Sequence, residues 1–451
     1  MGIFKSYDIR AVYGKEWDAE TVYRIGFCLP RLLEAREILI GRDARLSSDE
    51  IRAALIRGIT DAGCHVADIG LCSTPTIYFS TAYYQFDGSV MITASHNPPE
   101  YNGLKISRKD AVPVGYDTGL ARLEEMVRQT PAPGASRGEV RIKDIRSDYL
   151  AHLSRFSEGI RGIKAVIDCS DGMAGVVVHE VMGKLDARIS TIFDKPDGTF
   201  PHHDPNPLVE ENLAQLKLRV KEEGADLGIC FDGDADRVMF VDDEGRFVSP
   251  DLITALLCTH YFRHFPERRG ASDVVLYDVR SSRSVVEEIE RLGGKPRMCQ
   301  VGHSFAKRLL RQTDGIMGGE LAGHYYFKEN YYCDSGMIAA LLVLSVLSKD
   351  GITIRECVRR IQRYFFSGEI NFRVENKEAI IEKLRGDYGE GTLSDIDGIR
   401  IDYPTWWFNV RPSNTEPYLR LVVEASSREE LDARTAELSE KIRSEERGRT
   451  S

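Results

Sequence analysis

A unit that recurs three times constrains the fold more than any other feature of the chain. An apolar strand stops at an aspartate with small or charged neighbours, and a helical stretch follows. Residues 37–43 lead to a helix ending near Ala62, residues 165–172 to a second helix and residues 274–282 to a third. Each helix gives way to another strand candidate, at residues 64–70, 188–193 and 297–301. Parallel strands need a crossover of this kind, and repetition at intervals of about a hundred residues implies related α/β domains. Loops at strand C-termini form the binding edge of open α/β sheets, so three such edges can surround one cleft. The 451 residues leave room for three or four cores.

Between the repeats, residues 3–9 read as a short strand ending at Arg10. Residues 19–37 carry helical apolar spacing over Val22, Ile25, Leu29, Leu32 and Leu33, which Pro30 should interrupt. Ser47 and Ser48 with Asp49 and Glu50 signal a helix start. Residues 337–347, the longest apolar run, are too few to span a bilayer and read as a core helix. Residues 429–446 read as a charged amphipathic helix, with residues 447–451 a frayed tail.

The formal net charge of −10 argues against general nucleic-acid affinity, so an anionic substrate would need a focused site. Nine cysteines without any Cys-x-x-Cys pair read as reduced, mostly buried thiols rather than a metal cage. The polar N-terminus does not resemble a signal peptide. A cytoplasmic protein without membrane or nucleic-acid partners is therefore expected, its oligomeric state open.

Four stretches carry chemistry. Residues 93–105 follow the strand candidate 89–92 and present Ser95 on a loop stiffened by Pro98, Pro99 and Asn102-Gly103. Ser95 beside His96 is by itself ordinary turn chemistry, because adjacent residues rarely reach nucleophile-to-base geometry. In the second stretch, Asp232-Gly233-Asp234-Ala235-Asp236-Arg237 lies between apolar strands at 227–231 and 238–241. Three carboxylates at alternate positions can converge on one hard cation and would repel one another without it. A helix-loop-helix calcium site is excluded, since it needs Gly where Arg237 stands and Glu where Asp243 stands.

Third, Gly302-His303 opens a helical stretch, and Gly319-Glu320-Leu321-Ala322-Gly323-His324 offers a hydrogen-bond acceptor and a proton carrier to a sugar-like ligand. In the fourth, a loop between two strands, Arg411, Ser413, Asn414 and Thr415 suit a phosphate-binding nest and a plain turn equally. His202-His203-Asp204 reads as a loop rather than a second metal site.

Taken in order, these motifs resemble the α-D-phosphohexomutases, in particular the phosphomannomutase/phosphoglucomutase branch. The resemblance rests on Tyr7-Asp8-Ile9-Arg10, residues 93–99, residues 232–237, Gly319-Glu320 with Gly323-His324, and residues 411–415, with weaker likeness at 200–207, 278–280 and 302–303. It implies three related α/β domains plus a C-terminal α+β domain around a central cleft. Boundaries are expected at 1–145 (phosphoserine loop), 146–250 (metal loop), 251–367 (sugar-recognition loop) and 368–451 (phosphate-binding loop).

It further implies a phosphorylated Ser95 that shares Mg²⁺ with Asp232, Asp234 and Asp236, with Arg237 beside them. Lys105 and His324 would do acid/base work, and Glu320 would bind sugar hydroxyls. Arg411, Ser413, Asn414 and Thr415 would hold the non-reacting phosphate, and Tyr7, Arg10, Arg280 and His303 would complete the wall. The implied activity interconverts hexose 1-phosphate and hexose 6-phosphate of mannose or glucose, through a hexose 1,6-bisphosphate that also serves as activator. The fourth domain would close on the ligand. Ala322 stands where the family usually has Ser, which removes a hydroxyl donor from the sugar loop. Alternatives are a mutase for glucosamine or N-acetylglucosamine phosphate and a non-catalytic phosphosugar-binding protein.

Overall fold

The recurring unit folds each time into the same sheet order. In the computed structural model, which describes residues 2–129, 136–413 and 418–447, a first strand is flanked on both sides by parallel neighbours. In the first domain Glu37–Arg42 lies between His65–Leu71 and Gly88–Ile92. In the second, Arg161–Asp168 lies between Asp186–Ile192 and Leu227–Phe231, and in the third, Val274–Asp278 lies between Lys295–Cys299 and Met317–Gly319. Each third strand then turns back into an antiparallel fourth: Tyr101–Arg108, Val238–Asp242 and Tyr325–Phe327.

The repeated aspartate has the same local task in each unit. Asp43, Asp168 and Asp278 accept the backbone N–H two residues on, from Arg45, Ser170 and Arg280, at 3.0, 2.8 and 2.7 Å. Such a side-chain turn stops the strand and redirects the chain into the loop. All three carboxylates are buried.

Several local expectations are corrected. The first strand is Ile9–Val12, paired antiparallel with Tyr101–Arg108, while residues 3–8 fold back on it through Arg10 N–H to Ile3 O at 2.9 Å. The first helix ends at Leu33 rather than reaching residue 37. Pro30 occupies its last turn without breaking it, and Glu34 closes it in the left-handed region at φ 56°. Ser47 makes no side-chain cap; its hydroxyl instead accepts from Asn102 at 2.9 Å. The helix expected after residue 172 is a short 3₁₀ turn, Met173–Val176, followed by Val178–Met182.

The apolar run forms the helix Gly336–Asp350, buried from Gly336 to Leu347, in a continuous core shared by the second and third domains. No single helix among the described residues is long and apolar enough to cross a membrane. All nine cysteines are buried and unpaired. The fourth domain is α+β: a six-stranded antiparallel sheet, centred on Trp406–Pro412 and Tyr418–Ala425, packs against Lys377–Asp387 and Arg428–Arg447.

Candidate active site

The loops that follow the third strands of the three repeated units meet at one place. Ser95 follows Ile92 by three residues, Asp232 follows Phe231 directly, and Glu320 follows Gly319 directly. The equivalent loops after the first strands brace them. Arg45, fully buried, donates to the carbonyls of Ser95, Asn97, Pro98 and Tyr101 at 2.6–3.0 Å. Ser170 Oγ donates to Phe231 O at 2.6 Å and Met173 N–H to Gly233 O at 2.8 Å, while Asp278 Oδ2 accepts from Leu321 N–H at 2.7 Å. A guanidinium spread over several carbonyls fixes a loop better than any single contact.

Ser95 is 3% exposed and sits in the left-handed region at φ 52°. Holding a non-glycine residue there stores strain of the kind found where a side chain must be aimed. Its hydroxyl donates to Asp232 Oδ2 at 2.9 Å. The same bend brings Ser95 Oγ to within 3.2 Å of His96 Nδ1, closer than expected for adjacent residues on a loop. Burial, reinforced by Arg237 and Arg10, holds the His96 imidazole well below its ordinary pKa.

Asp232, Asp234 and Asp236 are fully buried, and oxygens from all three lie within 4.8 Å of one another. Asp232 also accepts from Arg237 Nε at 2.9 Å. Thr74 Oγ and Lys105 Nζ donate to Asp234 Oδ2 at 2.5 and 2.6 Å, and Lys105 also donates to Asp236 Oδ2. Asp234 Oδ1 and Asp236 Oδ1 are buried without a hydrogen-bond partner. Buried carboxylate oxygens left so are the donor set a hard divalent cation takes, and the three residues fit such an ion. Burial and then Asp236 push the Asp232 carboxyl up, whereas for Asp236 burial is outweighed by Lys105 and His324, which hold it below its ordinary value. Gly233 permits the approach of the two loops, because a Cβ there would lie 2.6 Å from Ser95 O.

Backbone pairing of Arg237 with His324 ties the acidic loop to the third domain. His324 Nδ1 lies 2.7 Å from Asp334 Oδ2 and 3.8 Å from Asp236 Oδ1. Asp334 in turn pairs at 2.7 Å with Lys307, fully buried over the Tyr78 ring. Burial lowers the His324 pKa, but Asp236 and Asp334 outweigh it and leave it raised. His303 stands 5.9 Å from His324, ring to ring, and Tyr7 edges onto His303 while donating to Val301 O at 3.0 Å. Glu320 accepts from Tyr326 Oη and, at 3.1 Å, from Gly302 N–H. Arg10 reaches Asn97 at 2.7 Å and is held by Asp8.

Arg280 and Arg411 converge on Glu369 at 3.2 and 3.1 Å. Ser413 is described, its N–H donating to Tyr418 O at 2.8 Å; Asn414 and Thr415 lie outside the described residues. His202 and His203 pair with Asp171 and Asp168 at 2.9 and 3.2 Å and form no group of metal-ligand spacing among the described residues. Sequence reasoning missed Arg45, Thr74, Lys307, Asp334 and Glu369. Asp334 alone left a trace, as a charge placed just before the apolar run at residues 337–347.

Known proteins share this architecture. Models of the phosphoglucomutase/phosphomannomutase α/β/α domains I, II and III match residues 1–132, 147–245 and 249–364, and that of the C-terminal domain matches 369–441. A phosphohexose mutase of Xanthomonas campestris pv. campestris is 38% identical over 98% of this chain and 99% of its own length. A phosphomannomutase/phosphoglucomutase of Pseudomonas aeruginosa is 36% identical over 95% and 93%. The crystal structure of a phosphoglucomutase/phosphomannomutase family protein from Burkholderia thailandensis superposes with a TM-score of 0.88 at 29% identity, covering 98% of this chain and 96% of that one. Domain order and full-length kinship define the class, a phosphohexomutase, which is an isomerase. The chain belongs to the phosphoglucomutase/phosphomannomutase family.

Proposed function

We propose that Ser95 is the phosphoryl carrier of a reaction interconverting hexose 1-phosphate and hexose 6-phosphate. The carrying observation is the Ser95 hydroxyl, buried and 2.9 Å from Asp232 at the edge of three convergent carboxylates. In the first half-reaction the bond between phosphorus and Ser95 Oγ breaks and one to the free sugar hydroxyl forms, that hydroxyl's proton passing by way of a base to the departing Ser95 oxygen, which is left as a free hydroxyl. The hexose 1,6-bisphosphate then turns end over end, and the reverse step returns its other phosphoryl group to Ser95.

Mg²⁺ held by Asp232, Asp234, Asp236 and the Ser95 phosphoryl group would neutralise charge on the transferring oxygens. Arg237, steered by Asp232, supplies a fixed guanidinium to the same charge. The proton falls to His324: Asp334 engages Nδ1, which leaves Nε2 to exchange it with the sugar hydroxyl. Lys105, committed to two carboxylates, serves charge balance. Arg10, Tyr7 and His303 line the sugar's path, Glu320 orients its hydroxyls, and Arg280, Arg411, Ser413, Asn414 and Thr415 hold the phosphate that does not react.

Asp334→Asn tests the proton assignment. The variant is expected to lose about 10²-fold in kcat with KM little changed, with a shifted pH–rate profile, because Nδ1 no longer faces a carboxylate. Thermal melting separates this from instability caused by leaving Lys307 unpaired. An unchanged pH profile in a folded variant would count against His324.

Relatives named for phosphomannomutase and phosphoglucomutase activity favour mannose and glucose phosphates. Coupled assays on mannose, glucose and glucosamine phosphates decide the matter. Turnover on the first two is expected, and a preference for glucosamine phosphate would reassign the substrate.

A further inference from the structure

Arg411 and Arg420 stand directly opposite each other on paired antiparallel strands. Like charges so placed repel, and an anion must lie against them. That anion is Glu369, at the start of the neighbouring strand Ile370–Arg373 and at the junction between the third and fourth domains. Its Oε1 pairs with Arg420 at 2.9 Å, and its Oε2 accepts from Arg411 at 3.1 Å and from Arg280 of the third domain at 3.2 Å.

One carboxylate thus serves three guanidinium groups. Asp278 takes up part of the charge of Arg280, at 2.6 Å, and Asp397 acts on both Arg280 and Arg411, but Arg411 is 2% exposed and its Nε has no hydrogen-bond partner. A buried guanidinium donor is thus left for a ligand oxygen. Guanidinium groups recognise carboxylate and phosphate by the same planar fork, and a phosphate brings a third oxygen and more charge. Glu369 keeps a fifth of its side chain in contact with solvent, so its carboxylate has a way out.

We propose that Glu369 is a built-in counter-anion seated where the non-reacting phosphate of the substrate binds, displaced from Arg280 and Arg411 when that phosphate arrives, with Arg420 the third guanidinium of the seat. The inference rests on the reading of the Arg411 loop as the phosphate seat. Between substrates the carboxylate keeps the arginines from splaying and links the third and fourth domains. On binding, it is a competitor whose removal tightens the complex.

Calorimetric titration of the full-length protein with inorganic phosphate, and with glucose 1-phosphate, tests this. Glu369→Gln, which keeps the shape and removes the charge, is expected to bind both about tenfold more tightly than the parent. Glu369→Asp, which withdraws the carboxylate by one methylene, is expected to fall between and carries the test if the Gln variant does not fold by its melting curve. Affinity equal to or weaker than the parent's in a folded variant overturns the inference. Arg411→Gln separates this from the underlying reading: if it binds phosphate as the parent does, the seat itself is misplaced. If it loses binding while Glu369→Gln gains none, only the role of Glu369 falls.

Discussion

Ser95→Ala is expected to reduce mutase turnover by about 10⁴-fold or more, since the atom that carries the phosphoryl group is gone and no neighbour replaces it. The Asp232 carboxylate that faces the position is tied to Arg237. The fold should persist. The substitution removes two hydrogen bonds, to Asp232 and His96, worth about 1 kcal/mol each, while Arg45 still holds the loop by its carbonyls. Intact mass spectrometry supplies the second readout: active protein should carry one phosphoryl group that the variant lacks. Full turnover by Ser95→Ala, or the same phosphoryl group on it, would end the proposal.

The sequence made the strand-and-aspartate unit legible because a buried strand is a run of apolar residues and its stop is a charge. It showed where the repeats begin. It did not show that chemistry sits one crossover later, after the third strand of each unit, because that equivalence exists only once the sheets are ordered. Ser95, Asp232 and Glu320 look unrelated in sequence and are topologically the same position. The aspartates that mark the repeats turn out to redirect the chain into bracing loops.

What could not be read depends on pairing between stretches that lie apart in the chain. Arg45 gains meaning only from the carbonyls of residues 95–101, Asp334 from His324 and Lys307, and Glu369 from Arg280, Arg411 and Arg420. His96 shows a limit of another kind. Neighbours on a loop rarely meet, yet the left-handed turn at Ser95 brings them together, and no sequence rule supplies φ at a serine. The first helix ends early for a similar reason, with Glu34 taking a left-handed conformation usually left to glycine.

Lys105 gives the second large effect, in stability as well as rate. Its ammonium is buried and ion-paired with both Asp234 and Asp236; burial works against its charge, and the carboxylates outweigh burial and hold its pKa above the ordinary value. Lys105→Met leaves those two buried carboxylates without their counter-ion, and breaking a buried pair in this way costs about 3–5 kcal/mol. In metal-free buffer the variant should therefore melt well below the parent.

Added Mg²⁺ should then stabilise the variant more than the parent. In the parent the ion must draw carboxylates away from an ammonium already in place, whereas in the variant it meets uncompensated charge. Binding at a hundred times the dissociation constant contributes about 2.7 kcal/mol, enough to recover much of the loss. Turnover should stay low even with the ion, since a methionine restores no charge beside the transferring group. Equal melting of parent and variant without metal, or an Mg²⁺ shift no larger in the variant, would show that Lys105 and the ion do not share these carboxylates.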